Sequence, residues 1–172
     1  MQERLFLIGF MGTGKTTVGL ALANELKYAF YDSDQEIVKR EGMEISQLFA
    51  SKGEAYFRQV EAAVLSELSR LPKSVITTGG GVVLKQANRQ LMQQSGYVVA
   101  LSASPEEIVR RVEQDRSRPL LQSESDLKER VTELMRKRAG LYDFANLTVA
   151  TTDRSVESII AEIKQNLSIS SH

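Results

Sequence analysis

Two periodicities alternate along the chain. Residues 5–8 (Leu-Phe-Leu-Ile) form an uninterrupted apolar run that stops at Gly9, whereas from Thr16 onward Val18, Leu22 and Leu26 recur at helical spacing. A strand, a glycine-bearing turn and a helix are therefore predicted in that order. Four further runs, at residues 29–31, 75–78, 97–101 and 147–150, have the character of buried strands, and sequence of helical period separates them. Strands alternating with helices predict an α/β domain of three layers, α/β/α, with a five-stranded parallel sheet covered on both faces.

Local signals sharpen some helix ends. Ser104-Pro105-Glu106-Glu107 has the form of a capping box, with Pro105 at the first helical position and Arg110 and Arg111 on the helix that follows. Ser155 is placed to cap a last helix whose Val156, Ile159, Ile160, Ile163 and Leu167 make one apolar stripe. Two stretches fit the alternation poorly. Residues 33–70 predict two or three helices broken at Gly42 and Gly53, longer than a plain crossover needs. Residues 113–126 are polar, carry Arg116, Arg118 and Pro119, and predict a mobile surface loop. Both are places to expect substrate contacts. With no repeat and no linker composition, the 172 residues predict a single domain.

Composition narrows the chemistry. Apolar residues make up 42% and charged residues 26%, as in globular proteins. Lys plus Arg and Asp plus Glu are 22 each, so no overall field draws the chain to nucleic acid or an anionic membrane, and any polyanion site must be local. There is no cysteine, which removes disulfides, thiolate metal sites and a cysteine nucleophile and suits a reducing cytosol. The single histidine is the terminal His172, a poor place for a general base. No apolar run nears the roughly 18 residues that span a bilayer, and Glu3 and Lys15 spoil a signal peptide. A cytoplasmic monomer is the expectation.

The strongest chemical signal is Gly9-Phe10-Met11-Gly12-Thr13-Gly14-Lys15-Thr16, a G-x-x-x-x-G-K-[ST] phosphate loop between a predicted strand and a predicted helix. Its glycines let backbone N–H groups wrap phosphate oxygens, and the helix N-terminus adds partial positive charge. Lys15 is expected on the β and γ phosphates and the Thr16 hydroxyl on Mg²⁺. Asp32 and Asp34 follow a strand end and share one side if the chain stays extended, so they can divide metal and substrate work; equally, Asp34 or Ser33 can cap the helix carrying Ile37 and Val38. Gly79-Gly80-Gly81 ends a buried strand at the sheet edge where α/β proteins bind ligands, and close approach of a ligand explains it better than a plain turn. No Asp ends that strand, so the metal falls to Thr16 and, through water, Asp32. Arg138 shares an apolar helix face with Leu127, Val131 and Leu134 and needs an anion, either a ligand or a buried carboxylate. Arg58 stands three residues before Glu61, the spacing of a helix-surface ion pair.

Taken together, the loop extended to Thr17, Asp32-Ser33-Asp34, Gly53-Glu54-Ala55-Tyr56-Phe57-Arg58, the triple glycine, Arg118-Pro119-Leu120-Leu121, and Arg138 four residues before Tyr142 resemble the shikimate kinase family over nearly the whole chain. The family is a P-loop, nucleoside-monophosphate-kinase-like group of aromatic amino acid biosynthesis. The resemblance implies transfer of the γ-phosphoryl of MgATP to the 3-hydroxyl of shikimate. It implies a core of residues 1–32, 62–112 and 127–172, a helical substrate-binding region at 33–61 and a lid at 113–126. Carried over by position, it puts shikimate on Asp34, Arg58, Gly80 and Arg138, with Glu61 orienting Arg58. It puts the nucleotide on Gly12, Thr13, Gly14, Lys15, Thr16 and Thr17, with Arg118 from the lid and Arg111 and Arg154 near the adenine. Lys15, Asp34 and Arg118 are the implied catalytic residues, Asp34 accepting the hydroxyl proton. The rivals are another P-loop kinase, for gluconate or a nucleoside monophosphate, and a nucleotide-dependent module without phosphotransfer. The intact set of site residues argues against the second.

Overall fold

The computed structural model describes residues 3–114 and 127–169. Five strands, β1 (Arg4–Gly9), β2 (Ala29–Asp32), β3 (Ser74–Thr77), β4 (Tyr97–Ser102) and β5 (Leu147–Ala150), form one sheet in the order β2-β3-β1-β4-β5. Every neighbouring pair is parallel. Among the described residues seven helices connect and follow them: α1 (Lys15–Leu26), α2 (Ser33–Glu41), α3 (Ile45–Leu68), α4 (Gln86–Ser95), α5 (Pro105–Gln114), α6 (Leu127–Arg138) and α7 (Val156–Ile169). A 3₁₀ turn at Val82–Leu84 precedes α4.

Strand β1 explains why its residues form an unbroken apolar run. Phe6 and Ile8 point to one face and pack with Ile37 of α2, Leu48, Phe57 and Leu65 of α3, and Met92 of α4. Leu5 and Leu7 point to the other face and pack with Val18 and Leu22 of α1 and Ile159 and Ile163 of α7. Helices on both faces leave no position for a polar alternation. A smaller cluster joins Phe10 to Ile108 and Val112 of α5 and to Leu127 and Val131 of α6.

The helix ends follow local rules with two corrections. Neither Ser33 nor Asp34 caps α2. Asp32 does, its Oδ1 accepting from the N–H groups of Asp34 at 3.0 Å and Gln35 at 3.1 Å. The strand runs one residue further than its apolar pattern, to the Asp32–Thr77 pair, and this leaves Asp32 as the first residue able to cap. At α5, Ser104 Oγ accepts the Glu107 N–H at 3.2 Å, yet Glu107 does not reach back. Its carboxylate is taken by Arg110 and Arg111, and Thr152 Oγ1 accepts the Ser104 N–H instead. Ser155 caps α7 as expected, accepting the Ser158 N–H at 3.2 Å. The predicted breaks fall at Gly42, which ends α2 at φ +69°, and at Gly53, which kinks α3 at φ +81°, ψ +170°.

Candidate active site

Every candidate residue in the described chain lies at the C-terminal edge of the sheet, Arg154 at the end of β5 and away from the loop cavity. There β1 lies between β3 and β4 and the connections leave in opposite directions, the crevice where open α/β sheets bind ligands. The phosphate loop runs from Gly9 to α1. Gly14 is the residue before the helix, at φ +91°, with no side chain capping the first turn. The leading amides of α1 have no intrahelical partner, so the positive end of the helix faces outward unscreened. Lys15 Nζ donates to the carbonyls of Gly9 at 2.7 Å and Phe10 at 3.0 Å, which holds the ammonium over the loop. A cavity of about 230 Å³ opens there, lined by Gly12, Gly14, Lys15, Thr16 and Thr17 and walled by Arg111 and Val112. Arg111 reaches it from α5, its Nη1 donating to Gly12 O at 2.8 Å. Arg154 does not line this cavity. Its guanidinium binds Ala150 O, Ser158 O and the Glu162 carboxylate around the start of α7.

Beside the loop, one carboxylate faces two hydroxyls. Asp32 Oδ2 accepts from Thr77 Oγ1 at 3.0 Å and from Thr16 Oγ1 at 3.3 Å. Thr77 occupies the end of β3, where the more usual aspartate would stand, and it locates Asp32 across the strand pair.

The second half of the site is built on the triple glycine, and here the sequence reading needs correction. The glycines make room for side chains before they make room for any ligand. A Cβ on Gly79 would sit 2.8 Å from Asp34 Oδ1, and one on Gly81 would sit 2.5 Å from both Nη atoms of Arg58. Gly80 lies between them, its carbonyl accepting from Arg138 Nη1 at 3.1 Å. Asp34 comes from α2, Arg58 from α3 beyond the Gly53 kink, and Arg138 from the last residue of α6. Asp32 and Asp34 therefore serve different halves of the site, since α2 begins between them.

Arg58 and Glu61 are not a surface pair. Their 2.9 Å ion pair is sunk in the fold, with the Glu61 side chain 1% exposed and that of Arg58 15%. Burial pushes the Glu61 carboxyl above its ordinary 4.5, and the Arg58 hydrogen bond and charge pull it partly back. Asp34 and Lys85 act on the same carboxyl, with opposite signs. Among the described residues no carboxylate lies within ion-pair distance of Arg138, so the buried structural partner weighed from sequence is not found there. Its guanidinium lies over the Phe10 ring, 5.5 Å from the centroid, as that of Arg58 lies over Phe57 at 5.1 Å. Burial raises the nearby Tyr142 phenol, and the charge of Arg138 opposes that shift. Two cations with apolar backing and one carboxylate thus gather around the triple glycine next to the phosphate loop. Such a set suits a small hydroxylated carboxylic acid.

The sequence reading missed Thr77, Lys85, and the ring supports Phe10 and Phe57. Thr77 had a readable signal, its place at the end of a buried strand. Arg116 and Arg118 lie outside the described residues, as does His172.

A phosphate loop after the first strand of a 2-3-1-4-5 parallel sheet, with Asp34, Arg58 and Arg138 gathered alongside, defines a P-loop small-molecule kinase of the nucleoside-monophosphate-kinase-like type. The family model described as shikimate kinase matches residues 11–168. A shikimate kinase of Pelotomaculum thermopropionicum is 44% identical over 96% of this chain and 98% of its own length, and one of Caldanaerobacter subterraneus subsp. tengcongensis is 40% identical over 94% of each. The solved shikimate kinase of Acinetobacter baumannii in complex with shikimate superposes with a TM-score of 0.90 at 37% identity, covering 98% of this chain and 94% of that one. A gluconokinase of Sinorhizobium meliloti shares the fold alone, with a TM-score of 0.56 at 20% identity. The chain belongs to the shikimate kinase family.

Proposed function

We propose that this chain transfers the γ-phosphoryl group of MgATP to the 3-hydroxyl of shikimate, giving shikimate 3-phosphate and ADP, a step toward chorismate and the aromatic amino acids. The observation that carries this reading is the convergence of Asp34, Arg58 and Arg138 on Gly79–Gly81 beside the phosphate loop. Arg58 and Arg138 take the carboxylate of shikimate through paired charged hydrogen bonds. Glu61 keeps the Arg58 guanidinium turned toward the triple glycine. Asp34 hydrogen-bonds the ring hydroxyls. The 3-hydroxyl oxygen bonds to the γ phosphorus as the bridge to ADP breaks, and Asp34 accepts the hydroxyl proton.

The loop amides from Gly12 to Thr17 and the Lys15 ammonium hold the phosphates, and Arg111 flanks the nucleotide. Arg154 is assigned near the adenine on the resemblance alone. Arg118, in a lid at 113–126, completes the charge on the transferring group and excludes water. Thr16 and Asp32 offer two hard oxygen donors 3.3 Å apart, a fit for Mg²⁺. The described residues hold no group of three or more His, Cys, Asp or Glu side chains able to hold a metal, so Thr16 and Asp32 would hold the ion together with phosphate oxygens and water. When bound, Mg²⁺ supplies charge neutralisation on the phosphates. Residues 33–61 form the substrate-binding region, 113–126 the lid, and 1–32, 62–112 and 127–172 the core. We assign the protein to the cytosol as a monomer; no helix among the described residues is long and apolar enough to cross a membrane.

The test is ADP release in a coupled assay with MgATP and shikimate, gluconate, AMP or no acceptor. Shikimate alone should stimulate release; stimulation by gluconate or AMP instead, or by none, overturns the substrate. Asp34→Asn should bind ADP like wild type while losing transfer, and near-normal turnover would remove Asp34 from its role.

A further inference from the structure

Two glycines of positive φ, Gly12 at +75° and Gly14 at +91°, flank Thr13 in the phosphate loop. Residues of this kind leave the intervening peptides free to turn over. The peptide between Thr13 and Gly14 is planar and trans, so its C=O and N–H point in opposite directions. Whatever holds the Thr13 carbonyl therefore aims the Gly14 N–H.

The holder comes from the far side of the sheet. Thr151, one residue past the end of β5 and 2% exposed, donates its Oγ1 proton to Thr13 O at 3.1 Å. A hydroxyl has one proton, and Ser102 O stands at the same 3.1 Å. The Ser102 carbonyl already has the Thr151 N–H at 2.8 Å, whereas among the described residues no other side chain donates to Thr13 O, so the hydroxyl proton satisfies an otherwise unmet acceptor when it goes to Thr13. One peptide earlier, Arg111 Nη1 holds the Gly12 carbonyl at 2.8 Å and also reaches Thr151 Oγ1 at 3.4 Å. The buried Glu107 fixes Arg111 in turn at 2.8 Å. Thr151 itself does not line the cavity above the loop.

We propose that Thr151 is a positioning residue for the nucleotide phosphates, its hydroxyl locking the Thr13–Gly14 peptide so that the Gly14 N–H faces into the loop. It acts through that amide and makes no ligand contact of its own. The inference rests on the nucleotide reading given above, and the experiment separates the two.

ADP and inorganic tripolyphosphate affinities are measured by calorimetry for wild type, Thr151→Val and Thr151→Ser, with steady-state kinetics in both substrates. Thr151→Val keeps the volume and removes the hydroxyl. It should weaken both ligands about tenfold, the loss expected for one misdirected amide on an anion. The KM for shikimate at saturating ATP should stay within about twofold, and Thr151→Ser should restore ADP affinity to within about threefold of wild type, as a loss on this scale comes from the hydroxyl alone. Thr151→Ala carries the same expectation where the valine variant fails to fold, since it presses no methyl group on the carbonyls. Wild-type ADP affinity in a folded Thr151→Val or Thr151→Ala overturns the proposal. So does equal weakening by Thr151→Ser, or an equal rise in both KM values. Failure of wild type to bind ADP would sink the nucleotide reading itself.

Discussion

Gly81→Ala isolates the acid-binding half of the site with a single methyl group. Gly81 sits at φ −93°, ψ 0°, a conformation open to alanine, so the backbone gains no strain. The added Cβ would lie 2.5 Å from Nη1 and Nη2 of Arg58 and 2.8 Å from Cζ. Ordinary contact needs about 3.5 Å, so the guanidinium must retreat by about 1 Å. The Arg58 head is the end of a long side chain and can move, but its present place is set by the 2.9 Å bond to Glu61 and by the Phe57 ring. Retreat turns its paired N–H groups away from a bound carboxylate. One charged hydrogen bond is worth about 1.5–3 kcal/mol, which at 1.4 kcal/mol per decade is about 10- to 100-fold in affinity. The expected result in a coupled ADP-release assay is a KM for shikimate raised by that factor, with kcat and the KM for ATP within about twofold of wild type. The melting temperature should fall by less than about 4 °C, the shift of roughly 1 kcal/mol in a chain of this size. An unchanged KM for shikimate in a folded variant would show that Arg58 does not bind the substrate from this position.

Other variants probe groups that the same geometry couples. Folding raises the Glu61 carboxyl above its ordinary 4.5, so the stability Glu61 contributes is fully present below pH 4.5 and is lost as pH rises through the folded value. Urea unfolding across that range should show wild type losing ground to Glu61→Gln as pH rises, and a flat or opposite difference would contradict the burial argument. Asp32→Ala removes both a helix cap and the acceptor of the buried Thr77 hydroxyl, and should cost about 1–3 kcal/mol in the same experiment. Asp32→Asn keeps one oxygen for the cap, and its NH2 can donate to the Thr77 hydroxyl in place of the lost acceptor, so it should cost less than about 1 kcal/mol while activity falls, because the charge proposed to face the metal is gone; equal destabilisation by the two variants would refute the capping role.

The sheet was legible because its strands are short, mostly apolar runs, β1, β3 and β4 almost wholly buried and β2 and β5 each paired against one of these. β1 shows it best, with Phe6 and Ile8 in one core and Leu5 and Leu7 in the other. The breaks at Gly42 and Gly53 were legible for a different reason, as both residues take positive φ in the fold. Side-chain competition was not legible. Glu107 has the spacing to reach back to Ser104, and also the spacing to meet Arg110 and Arg111; two cations prevail over one amide. The triple glycine is a similar case. Sequence shows that something must come close to bare backbone there. That the callers are Asp34, Arg58 and Arg138 depends on how three separate helices meet, which no local pattern records.

Asp32 shows how capping and chemistry combine in one side chain. A carboxylate has two oxygens, and the fold gives each its own task. Oδ1 turns back onto the amides of Asp34 and Gln35 and fixes where α2 begins, while Oδ2 turns forward onto Thr16 and Thr77 at the phosphate loop. The cap is what holds the second oxygen still. Because α2 starts at Ser33, Asp34 is carried around the first turn, away from the metal-facing side and onto Gly79. One helix start therefore sorts two neighbouring acids into two halves of the site. A change that moved the start by a single residue would disturb the proposed metal donor and the proposed proton acceptor together.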